Sequence, residues 1–337
     1  MNRDKLKNIY WQILGIFPRK WALKLNLAFR CLFEDWDFAV NTYLFSAEFA
    51  DLDADAIRRR LSGLDENSIA VALEYVRRCR NLEQMKGYPF SDGSTSLLLR
   101  KNLKSEIMCV PDAPPELKSY QKKYGFKTGA EVLIYQHGLS FWQDKASAYL
   151  RNKVFIDAGA CIGELEPALL EYEPSRIYAF EPSQKNVRLF EKEMKKRRIG
   201  PEQVQIVPAG LGNENCCMHF SDCGGSGQKV DIAGADSCTV VPLDKFAADN
   251  HISGIGLLKS DVEGMGLQLC QGAISVIKRD RPVLLLAAYH SQDELLGQYE
   301  YLHKELSDYH FELRDLPAGS CFEITLIGIP GEVENKK

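Results

Sequence analysis

Apolar residues recur along this chain with two different periods. In the first part they fall three and four apart: Leu6, Ile9, Tyr10, Ile13, Leu14 and Phe17 run up to Pro18, and Ile69, Leu73 and Val76 follow Asp65. That spacing lays each set along one face of a helix, with Asp65 placed to cap the second. Beyond about residue 150 the apolar positions gather into short unbroken runs instead. A run without polar interruption suits a strand buried on both faces of a parallel sheet. Val154 to Ile156, RIYAFE, QVQIVPAG, GIGLLKSD and PVLLLAAYH are of this kind, and YHFELRD with FEITLIGIP forms a final antiparallel pair.

Helical patterns starting at Ile162 and Ser183 separate the first of these runs. The alternation predicts an α/β fold, a seven-stranded sheet with helices on both faces. Between the third and fourth runs, LGNENCCMHFSDCGGSGQKVDIAGADSCTVVPLD reads as two short strands around a Gly- and Asp-rich centre, a hairpin beside the ligand. The PDAPP segment, Pro111 to Pro115, cannot continue a helix. It divides the chain into a mainly helical N-terminal domain, residues 1–115, and an α/β domain, residues 116–337.

Composition narrows the class without naming a function. The 337 residues are 45% hydrophobic and 26% charged, which is ordinary for a globular protein large enough for two domains. A net charge of −4 argues against nonspecific nucleic-acid binding. With neither a long uncharged apolar run nor a signal-peptide pattern, the expected compartment is the cytoplasm, without integral membrane association. Lys5, Lys7, Arg19 and Lys20 flank the first helix, so peripheral docking on a membrane surface competes there with packing on the second domain. The same apolar face would also serve a homo-oligomer. Ten cysteines lack any C-x-x-C pair and read as reduced, packed thiols. Cys216, Cys217, Cys223 and Cys238 cluster without the tight paired spacing of a zinc site, and no metal is expected.

The chemistry concentrates in KVFIDAGACIGELEPALLEYEPSRIYAFEPS, Lys153 to Ser183. A buried strand breaks at Asp157 and Gly159, a helical pattern follows, and a second strand ends at Glu181. A ligand belongs at the carboxyl ends of such strands. Dinucleotide sites use G-x-G-x-x-G and leave a helix N-terminus free for pyrophosphate. Here Cys161 separates Gly159 from Gly163, and Asp157 and Glu164 would repel a diphosphate, so a nicotinamide-dependent oxidoreductase is the weakest reading. Carboxylates suit a ligand that carries positive charge and no phosphate, and S-adenosylmethionine has a sulfonium and an ammonium. Glu181 is placed to accept both ribose hydroxyls.

FIDAGACIGE, IYAFEPS, the PAGLGN turn, VPLDKF, LLKSDVEGMG and RPVLLLAAYHSQDEL, approached through YQHGLSFW, together resemble the FkbM-type S-adenosylmethionine-dependent methyltransferases. The resemblance runs from about His137 to Pro330 and leaves the first 115 residues uncovered. It implies a class I methyltransferase fold, Rossmann-like, and most often O-methylation of a sugar or another small hydroxylated metabolite. It carries the cofactor loop onto Asp157, Gly159, Ala160 and Gly163, the ribose contact onto Glu181 with Pro182 and Ser183, and the turn that passes the adenine onto Gly210 and Leu211. Asp261 and Glu263 follow the fourth strand, where methyl group and acceptor meet. Asp261 is the first candidate to contact and deprotonate the acceptor, Glu263 orients it, and His290 is the alternative base. The family usually has an acidic residue where this chain has Gly266. That departure and the uncovered N-terminal region motivate a second reading, a non-catalytic cofactor-binding scaffold that keeps the fold.

Overall fold

The computed structural model describes residues 46–49, 51–85, 117–125, 133–222, 228–230, 236–316 and 323–334. The helix at Leu6 to Phe17 and the PDAPP boundary lie outside the described residues. Seven strands form one sheet: β1 Val154–Ala158, β2 Arg176–Phe180, β3 Val204–Val207, β8 Ile255–Ser260, β9 Val283–Ala287, β10 Tyr309–Asp315 and β11 Ile324–Pro330. Their order across the sheet is β10-β11-β9-β8-β1-β2-β3. All neighbours are parallel except β11, which runs antiparallel to both β9 and β10. This is the class I methyltransferase arrangement. The sequence reversal falls between β1 and β8, so ligands meet the sheet there, at the strands' carboxyl ends.

Period-two alternation divides the apolar residues between two cores. Phe155, Ile177, Leu257, Val283, Leu285 and Ile327 face one side, and Ile156, Ala158, Phe180, Leu258, Leu284, Leu286 and Leu326 the other. Helices cover both. In chain order the described helices are α1 Ser46–Phe49, α2 Ala54–Arg60, α3 Glu66–Met85, α4 Leu117–Tyr124, α5 Gln143–Leu150, α6 Glu166–Leu169, α7 Gln184–Arg197, α8 Leu243–Asp249, α9 Gly266–Gly272, α10 Ile274–Asp280, α11 Gln298–Glu305 and α12 Gly331–Glu334. Residues of α5, α6, α7 and α12 pack on the first face, and residues of α2, α3, α8, α9, α10 and α11 on the second. Among the described residues, no helix is long and apolar enough to cross a membrane.

Asp65 caps α3 by accepting the Ser68 N–H at 2.7 Å. Ile69, Ala72, Tyr75, Val76 and Cys79 of this helix share one core with Phe311 and Leu313 of β10. Full burial of each large apolar side chain is worth roughly 1.5–3 kcal/mol. The helix is also tied by hydrogen bonds, from Leu313 N–H to Ser68 Oγ at 3.0 Å and from Tyr75 O–H to the Tyr289 carbonyl at 2.5 Å. Arg60 at the end of α2 forks onto Glu300 of α11, with contacts of 2.7 and 2.6 Å. Residues 49–79 therefore complete the second face of the sheet.

Two local expectations change. The helical pattern expected from Ile162 begins four residues later, because Cys161 and Gly163 take left-handed backbone, φ 50° and 82°, and Pro167 fits only the first turn of the short α6. In the run QVQIVPAG, only Val204–Val207 joins the main sheet. After Pro208 the chain leaves it, and β4 Gly210–Leu211 pairs with β7 Asp236–Val241 in a second sheet of order β4-β7-β5-β6, with β5 Cys216–Asp222 and β6 Gln228–Val230. The hairpin is present as β5 and β7, antiparallel with Met218 opposite Cys238. Cys216, Cys217 and Cys238 stand on these strands as free thiols, Cys223 lies outside the described residues, and the described residues include no cluster suited to a metal ion.

Candidate active site

The register of β1 and β2 sets Ala158 beside Phe180, so the glycine loop and Glu181 leave the sheet side by side. Gly159 and Ala160 donate to the Phe180 carbonyl at 2.9 and 3.0 Å. Glu181 then reaches back: Oε2 accepts the Cys161 N–H at 2.9 Å, and Oε1 accepts the Ser183 N–H at 2.8 Å. Both oxygens are fixed, the Asn186 side chain also bonds this carboxyl, and acceptor capacity remains for a ligand. Burial pushes its carboxyl above the usual range, against these N–H groups, which favour the charged form.

Gly159 has φ 80°, and a Cβ there would stand 1.8 Å from the Asp261 carbonyl oxygen. The β8 backbone therefore crosses directly over the loop, anchored by the Asp261 N–H to the Ala158 carbonyl at 2.9 Å. Gly163 answers a different need, since its missing side chain makes room for Phe190 and Met194 of α7. Ser183 caps that helix, accepting the Asn186 N–H.

Asp157 and Lys259 are register partners on β1 and β8, so their side chains leave the same face. Both are buried, and Lys259 Nζ lies 2.9 Å from Asp157 Oδ1 and donates to the Gly159 carbonyl at 2.9 Å. Burial disfavours the ammonium, but Asp157 and Asp261 raise its pKa on balance. Glu166 of α6 is fully buried against this pair, and burial followed by the Asp157 charge drives its pKa well up. Glu166 therefore holds its proton more tightly than an ordinary carboxyl. Sequence reasoning passed over Lys259 and Glu166. The signal for Lys259 was a lysine inside an otherwise apolar run two residues before Asp261.

At the end of β8 a second cluster forms around His290. Its Nε2 lies 3.6 Å from Asp261 Oδ1 and 3.4 Å from Glu263 Oε2, and its Nδ1 lies 2.7 Å from Glu294 Oε2. Burial opposes the imidazolium, but Glu294, Asp261 and Glu263 raise its pKa to about 10. His290 is thus a buried cation at neutral pH, set behind the two carboxylates instead of among the cavity walls. Burial also opposes the Asp261 carboxylate, yet His290, Lys259 and His137 hold its pKa below the ordinary value, and the Tyr289 O–H donates to it at 3.2 Å. Burial pushes Glu263 up to about 8, against the attraction of His290.

Glu294, another residue the sequence reading did not weigh, lies in a single π-helical turn, Asp293–Gly297. Its Oε1 accepts the N–H groups of Gly264 and Gly266 at 3.0 and 3.1 Å, and Oε2 accepts that of His290 at 3.2 Å. An added Cβ at Gly266 would stand 2.8 Å from Gln298 Oε1 and 3.0 Å from Glu294 Oε1. The place of a side chain at 266 is therefore taken by polar groups from α11 and the π turn.

These elements enclose a cavity of about 390 Å³. Asp157, Gly159, Ala160, Glu181, Pro182, Gly210, Leu211, Asp261 and Glu263 line it. Gly163, Ser183 and His290 do not, and act on it through the contacts given above. Met218, His219 and Cys238 of the second sheet form part of the wall, as do His137, Lys259, Tyr289 and Glu323.

Residues 157–315 match the Methyltransferase FkbM domain. Over that stretch the chain is similar to the FkbM methyltransferases. The matched stretch begins at Asp157 of β1 and ends with β10, so it contains Glu181, Asp261, Glu263 and His290. Among solved structures, the chain is similar to the FkbM methyltransferase from Methylobacillus flagellatus, at 18% identity and TM-score 0.44, covering 64% of this chain and 58% of that one. An rRNA methylase from Streptococcus thermophilus matches at 11% identity and TM-score 0.37, covering 56% of this chain and 93% of that one. A Streptococcus mutans protein solved in complex with SAH matches at 14% identity and TM-score 0.35, with coverages of 56% and 95%. No curated protein matches the chain.

Proposed function

We propose that this protein is an S-adenosylmethionine-dependent methyltransferase acting in the cytoplasm on a hydroxyl of a saccharide or related small metabolite. The carrying observation is the Glu181 carboxylate, fixed by two backbone N–H groups in the wall of a cavity that Asp261 and Glu263 also line. The residues present fit the cofactor. Glu181 has acceptor capacity left for two ribose hydroxyls, Gly210 and Leu211 border the wall assigned to the adenine, and the acidic lining suits a cationic methionine end. When bound, S-adenosylmethionine supplies an electrophilic methyl group on a sulfonium.

The chain's own part is to position the acceptor and to deal with its proton. In-line geometry provides most of the acceleration in such a transfer. Asp261, ionised at neutral pH, accepts a hydrogen bond from the acceptor hydroxyl and takes its proton as the bond to carbon forms. Glu263, protonated up to about pH 8, donates to a neighbouring acceptor oxygen. His290 supports both as a cation held on Glu294, which makes it a positioning residue and not the base.

Isothermal titration of S-adenosylmethionine and S-adenosylhomocysteine into the wild-type protein and a Glu181→Ala variant tests the reading. Each hydrogen bond to a charged group is worth about 1.5–3 kcal/mol, so losing two weakens binding by roughly a hundredfold or more. Micromolar binding lost in the variant supports the cofactor site, and well-folded wild-type protein that binds neither compound overturns it.

A further inference from the structure

His137 precedes α5 in a run of left-handed residues, with φ of 48° at Gln136, 52° at His137 and 101° at Gly138. Non-glycine residues adopt this backbone only where their surroundings hold it. Here the Tyr172 O–H donates to Gln136 Oε1 at 2.6 Å, and the Gly138 N–H donates to the Tyr135 carbonyl at 2.7 Å. At Gly138 a Cβ would come 2.6 Å from Ile327 Cδ1, so the chain is pressed against β11.

The result is a histidine only 8% exposed that still lines the cavity. Among the described residues nothing hydrogen-bonds to its ring. Burial, and then the Lys259 ammonium, lower its pKa to about 4, so the ring is neutral and keeps one N–H to donate.

The other ionisable groups sort the cofactor's charges. Apart from Asp261 and Glu263, assigned above to the acceptor, the Glu164 carboxyl lines the cavity and suits the sulfonium and ammonium. The methionine carboxylate needs donors. Lys259 is committed to Asp157 and the Gly159 carbonyl. Lys259 is the charged group that acts most strongly on His137, opposed by Asp261 and Asp157, and the neutral His137 ring has an N–H free to donate into the cavity. We propose that His137 is a further cofactor-binding residue, donating a hydrogen bond from its ring N–H to the methionine carboxylate; this rests on the S-adenosylmethionine reading above.

The test compares S-adenosylhomocysteine with 5′-methylthioadenosine, which keeps the adenosine and thioether but lacks the amino-acid carboxylate and ammonium. Both are titrated calorimetrically into wild-type protein and into His137→Ala. The expected result is a loss of about 10–100-fold for S-adenosylhomocysteine and an unchanged affinity for 5′-methylthioadenosine. His137→Gln, which restores an amide donor, regains part of the loss. Equal losses for both ligands, or no loss for S-adenosylhomocysteine, overturn the assignment. If the alanine variant is unfolded, His137→Asn carries the test, because asparagine tolerates left-handed backbone and ends short of the far imidazole nitrogen. Its loss must again be confined to S-adenosylhomocysteine. Failure of the wild-type protein to bind S-adenosylhomocysteine refutes the cofactor reading and this proposal together, whereas binding without a selective loss refutes His137 alone.

Discussion

Replacing Glu294 by Gln removes one charge from a side chain that is 1% exposed and leaves its shape almost unchanged. The carboxylate accepts three backbone N–H groups and holds the His290 ring at 2.7 Å. Removing one partner of a buried ion pair costs about 3–5 kcal/mol, here a fall in Tm on the order of 10 °C. The penalty must depend on pH. His290 has its pKa raised from 6.5 to about 10 in the folded protein, so its stabilisation is whole below about 6.5 and is lost as pH rises through about 10. Without Glu294 the imidazolium gives up its proton at lower pH. The gap between wild type and variant is therefore widest at pH 6 and narrows towards pH 10, where the wild-type ring too is losing its proton. Glu263 runs the same way, since its raised pKa also costs stability as pH climbs from 4.5 to about 8, but it is present in both proteins. Urea unfolding at pH 6, 8 and 10 reads the difference directly. A penalty that stays constant over that range would show that His290 is not the buried cation inferred here.

Gly266→Ala forces a methyl group to within 2.8 Å of Gln298 Oε1 and 3.0 Å of Glu294 Oε1, so a loss of about 1–3 kcal/mol is expected; an unchanged urea midpoint would show that the space over Gly266 opens easily. Lys259→Met leaves Asp157 buried beside Glu166 with its cation gone and frees the Gly159 carbonyl. It should cost about 3–5 kcal/mol, and full wild-type stability at pH 7 would refute the role given to the pair. Asp261→Asn keeps the Tyr289 contact and removes the base, so S-adenosylhomocysteine affinity is retained while turnover on any identified acceptor falls by about 10²–10⁴-fold. Unchanged turnover would end its catalytic assignment.

The sequence by itself determined the succession of strands and helices, because an unbroken apolar run such as Ile255 to Leu258 or Val283 to Leu286 has one stable use, a strand covered on both faces. It also marked the glycine loop and Glu181, since these lie close along the chain and their chemistry is local. The N-cap at Asp65 was legible for the same reason. What periodicity cannot carry is which element lies opposite which. That α2 and α3 close the second face of the sheet depends on contacts between residues 49–79 and β10, more than two hundred positions away. The departure of Gly210 into a second sheet was likewise hidden, because one apolar run covers both destinations. At the site, the registration of β1 on β8 decided that Asp157 meets Lys259, and the π turn decided that Glu294 reaches His290 and fills the place above Gly266. Buried charges acquire their roles only from partners brought together by folding, since the cost of removing each from water must be met by a neighbour whose distance no local pattern encodes.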